Sequence, residues 1–129
     1  MIIDTSAILA ILQDEPERER YAEIISRANK CLISSGTYLE TKMILDRRFG
    51  YEGIRDFELF CSLVDLEIIA FDKDQAELAT YAYKTYGKGR HKAGLNFGDC
   101  FSYALCKYLD EELLFKGEDF VFTDLIRAN

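Results

Sequence analysis

The chain of 129 residues has one histidine, one proline and no apolar run long enough to cross a bilayer. No basic segment precedes an apolar one near the N-terminus, so no secretion signal is read there. A cytoplasmic protein without membrane association is the expectation. The four cysteines, Cys31, Cys61, Cys100 and Cys106, form no C-x-x-C pair, and with a single histidine they offer little zinc chemistry. Each lies in an apolar segment and is expected as a reduced, buried thiol. The lone histidine, His91, sits in a glycine-rich loop, and no Ser-His-Asp set or Cys-His pair is evident around it. The glycines of that loop lack phosphate-loop spacing, and no Gly-Lys-Ser/Thr comes after them. With no repeat, linker or low-complexity tract, residues 1–129 are read as a single domain.

The remaining composition is ordinary for a globular chain: 49% hydrophobic and 30% charged residues, enough to build a sizeable core. The net charge of −7 argues against indiscriminate affinity for nucleic acid. The charge is unevenly spread, however. Leu78 to Gly98 contains no Asp or Glu but holds Lys84, Lys88, Arg90 and Lys92. Three glycines between Tyr86 and Gly94 mark a flexible loop. It reads either as a solvated connection or as a mobile basic segment facing a negatively charged polymer.

Short apolar runs alternate with helical periodicity. Met1 to Ile3 reads as a brief buried strand, and Ile8, Leu9, Ile11 and Leu12 as the helix after it. Thr5 or Ser6 can cap that helix, as can Asp4 itself. Pro16 suits the first turn of a second helix. Cys31–Ser34, Leu66–Ala70 and Leu113–Phe115 read as further strands, and Phe120–Phe122 as a short fifth. Helices are expected over Ser35–Arg48, Tyr51–Val64, a segment capped at Asp72, and Phe97–Leu109. This rhythm implies a parallel sheet with right-handed crossovers.

Four acids fall at suggestive points. Asp4 comes directly after the first strand, where open α/β sheets bind ligands. Glu40 lies in an apolar stripe with Met43 and Ile44, where solvent exposure, a salt bridge to Arg47 at long reach, and a metal are the competing explanations. Asp99 takes the capping-box position after Asn96; at a helix N-terminus it should be ionised. Glu118 and Asp119 come after the fourth strand. With the first strand central, these acids can converge at one edge, where they would raise one another's pKa unless a cation neutralised them. Carboxylate and water ligands suit Mg2+ or Mn2+. A receiver-like phosphoacceptor is disfavoured because Asp4 has no acidic neighbour.

Five segments carry a resemblance spanning nearly the whole chain: Ile3-Asp4-Thr5-Ser6-Ala7, Tyr38-Leu39-Glu40-Thr41, Tyr86 to His91, Leu95 to Phe101, and Leu113 to Phe120. In these the chain resembles the PIN-domain ribonucleases, and among them the VapC toxins of toxin–antitoxin pairs. The resemblance implies a three-layer α/β/α sandwich with a four- or five-stranded parallel sheet. It implies RNA cleavage by water activated at one or two divalent ions, and a cognate VapB-type antitoxin. By resemblance Asp4 and Asp99 are the main metal ligands and Glu40 a third acid. Asp119, rather than Glu118, stands in for an acid that many PIN domains carry where Gly117 falls here. Arg47, Lys88, Arg90 and His91 are expected against flanking phosphates, and Tyr86 against a base. A homodimer is expected from apolar surface on the Tyr51–Val64 and Ala76–Tyr86 helices. The competing readings are a non-catalytic PIN-like module that only engages a partner protein, and a nuclease acting on DNA or on structured nucleic acid.

Overall fold

A computed structural model describes residues 1–129. In chain order the elements are β1 (Ile2–Ile3), α1 (Thr5–Leu12), α2 (Arg18–Arg27), β2 (Leu32–Ser34), α3 (Ser35–Phe49), α4 (Tyr51–Leu63), β3 (Glu67–Ile69), α5 (Lys73–Tyr86), α6 (Phe97–Leu109) and β4 (Leu113–Leu114). A single 3-10 turn, Asp119–Phe122, lies beyond β4. The four strands are parallel in the order β3-β2-β1-β4, with Ile2 opposite both Leu32 and Leu113. The first strand is therefore central, and Asp4, the next residue, lies at the middle of the sheet's carboxyl edge.

Successive strand residues face opposite sides of a sheet, and the core divides accordingly. Ile3, Ile33 and Leu114 pack with Ile8, Tyr21, Leu45 and Phe57 on one side. Ile2, Leu32 and Leu113 pack with Ala82, Tyr103, Leu105 and Phe115 on the other. Helices thus cover both faces, which a parallel sheet requires. All four cysteines are free; Cys61 is half-buried and the others are buried.

Two expectations are corrected. Phe120–Phe122 forms no fifth strand. The free edge of β4 is taken instead by the tail, where Leu113 N donates to Ile126 O and Ala128 N donates to Leu113 O, each at 2.9 Å. Phe120 is buried while Val121 and Phe122 are exposed, so this apolar triplet is a turn with one anchor. The second helix starts at Arg18, and Pro16 lies in the turn ahead of it.

Candidate functional site

The first helix is capped by Asp4 rather than by Thr5 or Ser6. Its Oδ2 accepts from Ser6 N at 3.0 Å and from Ser6 Oγ at 2.7 Å. Its Oδ1 accepts from Ser102 Oγ at 2.6 Å. Both oxygens of a carboxylate only 4% exposed are thereby fixed. Ser6 Oγ also accepts from Lys116 N at 3.0 Å, so one hydroxyl ties the end of β1 to the chain leaving β4. Capping and placement in a polar pocket are compatible roles for the same side chain.

Glu40 sits on α3, which runs from Ser34, a serine that caps the helix by accepting from Gly36 N. Its Oε1 accepts from Thr5 Oγ1 at 2.7 Å, and Thr5 in turn meets Thr41 Oγ1 at 3.0 Å. Arg47 makes no ion pair with it. On the other side Glu40 lies against Gly98, where a Cβ would overlap the carboxylate. Glycine at this point lets α3 and α6 approach closely enough to share an acid. Burial, opposed by the Thr5 hydrogen bond and reinforced by Asp4, raises the pKa of Glu40.

Asp99 lies in the first turn of α6. The capping box is complete: Asp99 N donates to Asn96 Oδ1 at 2.9 Å, and Asn96 N donates to Asp99 Oδ2 at 3.0 Å. The cap is not the only influence on its charge. Burial, above all, pushes Asp99 up to about 7, and the charges of Asp4, Asp119 and Glu40 add to it against the Asn96 hydrogen bond. Desolvation outweighs capping here. Asp4, Glu40 and Asp119 thus all lie within electrostatic reach of Asp99 at the carboxyl edge. Asp119 opens the 3-10 turn and is exposed, as is Glu118.

None of Asp4, Glu40, Asp99 and Asp119 pairs with a lysine or arginine, since every ion pair of the chain involves other acids. As the side chains stand, no three of the chain's acids, cysteines and histidines are grouped closely enough to hold a metal ion. The donor set is hard oxygen with uncompensated negative charge, which fits an ion such as Mg2+ or Mn2+ that keeps several waters.

The expected substrate residues fall into two groups. Arg47 is exposed and lines a groove of about 480 Å3 with Glu40, Gly98 and Phe97. Lys88 and Arg90 are exposed on the basic loop, Arg90 lying 5.2 Å over the Tyr83 ring, and Lys92 lies 4.6 Å over Phe122. This loop is tied at its neck, where Lys88 N donates to Leu95 O and Leu95 N donates to Tyr86 O, both at 2.9 Å. His91 Nδ1 accepts from Ala93 N at 3.0 Å. Tyr86 is half-buried, with its ring 5.2 Å from His91 and 5.8 Å from Tyr103, so its faces serve the α5–α6 seam. Sequence reasoning missed three participants. Ser102 and Thr5 had no signal, because their partners are distant in the chain. Phe97, in sequence simply the first residue of the α6 helix, is 81% exposed; its place beside an N-cap, ahead of the buried stripe, was the available clue.

Comparison with known proteins agrees with this geometry. The family description PIN domain matches residues 1–124. The chain is 49% identical over 125 residues to Ribonuclease VapC30 of Mycobacterium tuberculosis, covering 97% of this chain and 95% of that one. It is 48% identical over 125 residues to Ribonuclease VapC of Mycolicibacterium smegmatis, covering 97% of each. Among solved structures, Mycobacterium tuberculosis VapC20, described as a sarcin-ricin loop cleaving toxin, superposes with a TM-score of 0.80 at 15% identity, over 99% of this chain and 98% of that one. VapBC2 of Rickettsia felis, bound to a DNA fragment from its promoter, superposes with a TM-score of 0.76 at 14% identity, over 99% and 96%. At these identities the structures speak for the shared fold.

Proposed function

Because the chain belongs to the PIN-domain family of VapC ribonucleases, we propose that it is the toxin of a toxin–antitoxin pair, an endoribonuclease dependent on Mg2+ or Mn2+. The observation that carries this reading is the set of acids at the carboxyl edge with no cationic partner. Asp4 and Asp99 would hold the ion, with Glu40 and Asp119 completing the acidic rim. A bound divalent ion lowers the pKa of water and offsets charge on the scissile phosphate.

The chain's own residues supply the rest. Ser6 and Ser102 hold Asp4 in one orientation, so no rotamer freedom is lost when the site assembles. Thr5 engages Glu40 Oε1, and with Gly98 against the other side it fixes the carboxylate at the acidic rim. Burial is the main cause that raises the pKa of Glu40. The basic loop and Arg47 supply positive charge for flanking phosphates. Cleavage of a mixed RNA pool with Mg2+, Mn2+ or EDTA tests the reading. We expect cleavage with either ion, none with EDTA, and none by Asp99→Asn. Cleavage that survives EDTA overturns it, and preferential cutting of a matched DNA strand would favour a DNA nuclease.

A VapB-type antitoxin is the partner that this role implies. Exposed apolar side chains on α4 and α5, among them Tyr51, Leu59, Leu63, Tyr81 and Tyr83, support a homodimer. A monomeric mass in solution scattering would remove that assignment.

A further inference from the structure

We propose that Phe97 and Arg47 form a single-stranded nucleotide subsite flanking Glu40, with Phe97 stacking an unpaired base and Arg47 holding a phosphate of the same strand. This deepens the ribonuclease reading of the neighbouring acids and rests on it.

Phe97 is the most exposed aromatic residue of the chain, yet its ring is not loose. It stands edge-on to Phe101 at 5.0 Å, and Phe101 stands edge-on to Phe71 at 4.6 Å. Phe101 is also wedged against Gly36, where a Cβ would overlap its ring. An aromatic face held open this way loses little freedom when a flat ligand covers it. It gains nothing for the core, because its broad surface stays in water.

Two grooves, of about 480 and 440 Å3, meet at Phe97 and Phe101. The first contains Glu40 and Arg47. Arg47 is exposed and without a carboxylate partner. The lining of this groove thus combines a planar apolar face, an acid of the proposed ion site and a free guanidinium. A nucleic-acid strand presents the complementary set of base, scissile phosphate and next phosphate. Tyr86, the other aromatic considered for a base, has its ring engaged in the α5–α6 seam. A purely apolar protein segment would leave Arg47 and Glu40 unmatched, so the charges favour the nucleotide.

The test pairs binding with cleavage. Binding is read by quenching of 2-aminopurine in a short single-stranded RNA, at low salt with EDTA present. Base–aromatic stacking of the usual strength predicts about tenfold weaker binding and loss of quenching in Phe97→Ala, with both kept in Phe97→Trp. Arg47→Ala should lower the slope of log affinity against log salt by about 0.7, as for one phosphate contact on a single strand. In the cleavage arm, an abasic nucleotide beside the cut bond should lower wild-type kcat/KM about tenfold, and cost Phe97→Ala nothing further. Quenching through Phe97 without cleavage by the wild type would keep the subsite and sink the ribonuclease reading. Cleavage with wild-type base dependence in Phe97→Ala would do the reverse, and leave this face to a protein partner.

Discussion

The two ends of the sheet treat charge in opposite ways. At the amino end, acids beside the strands have cations: the Met1 amino group lies 2.9 Å from Glu111, and Lys30 lies 2.7 Å from Glu67. At the carboxyl end the carboxylates of Asp4, Glu40 and Asp99 have hydroxyls and backbone amides as partners, Asp119 adds its charge nearby, and none of the four has a lysine or arginine. The same strands organise both ends, so the difference is not imposed by topology. Charge is compensated where it only has to be stable and left open where a ligand must complete it. The open end is held at a cost, because carboxylates crowded in a partly desolvated place favour protonation.

The sharpest way to break this contrast is Asp99→Asn. Cleavage should fall by about a thousandfold or more, in keeping with loss of an ion ligand and its electrostatic role. Stability should move the other way. Asp99 titrates at about 7 in the folded chain against an ordinary 3.8. Between those values the folded state keeps a proton that the unfolded chain has released, so ion-free stability falls as pH rises through that window. Above it the penalty is complete. Asp99→Asn, which keeps an oxygen for the Asn96 N–H, should therefore melt higher than wild type at pH 8 and level with it at pH 3. A lower melting temperature at pH 8 would mean that the acids are not in conflict.

Gly98→Ala sharpens the contrast by separating packing from chemistry. Alanine inside a helix is favoured over glycine by up to about 1 kcal/mol, but here the added methyl would overlap the Glu40 carboxylate. That carboxylate is the end of a flexible side chain and can swing aside. The fold should survive with a melting temperature close to wild type, while kcat drops about tenfold to a hundredfold through misplacement of Glu40. Equal loss of stability and activity would show that Glu40 is structural.

Ser102→Ala should have a smaller effect on both. Ser102 is fully buried and donates to Asp4 at 2.6 Å. A hydrogen bond to a charged group contributes about 1.5–3 kcal/mol, although Ser6 still holds the other oxygen. A melting-temperature drop of several degrees and about a tenfold fall in Mn2+ affinity are expected. Ser102→Thr should recover part of the affinity if the hydroxyl, rather than the volume, matters. Calorimetric titration with Mn2+ reads this without substrate.

How much of this was legible depends on the range of the interaction involved. The alternation at Ile2 and Ile3, the capping box at Asn96–Asp99 and the helical spacing of α4 are local, and the sequence displays them directly. Convergence of Asp4, Glu40 and Asp99 needed one further rule, that the carboxyl ends of parallel strands and the N-termini of the helices covering them gather at the same edge. Phe120–Phe122 misled because strand pairing depends on a free edge, and Ile126 and Ala128 already occupy the edge of β4. The pKa of Asp99 depends on both ranges. Its cap is visible in four residues, whereas its burial and the charges of Asp4, Asp119 and Glu40 come from tertiary packing. Ser102 could not be distinguished from any other helical serine until its partner, almost the whole chain away, was placed beside it.

The smallest expected effect is at the compensated end, and it is the control for the rest. Lys30 and Glu67 bridge at 2.7 Å with side chains 65% and 46% exposed. An ion pair so open to water is screened by salt and must order two long side chains, which offsets most of its Coulomb gain. The pair raises the pKa of Lys30 through its hydrogen bond and charge, yet so exposed a group adds little to folding. Lys30→Ala and Glu67→Ala should each leave the melting temperature, the Mn2+ affinity and RNA cleavage at wild-type values. A change in cleavage from either would mean that the ends communicate through the strands. The open charge at the carboxyl edge would then be a property of the whole sheet rather than of its local ligands.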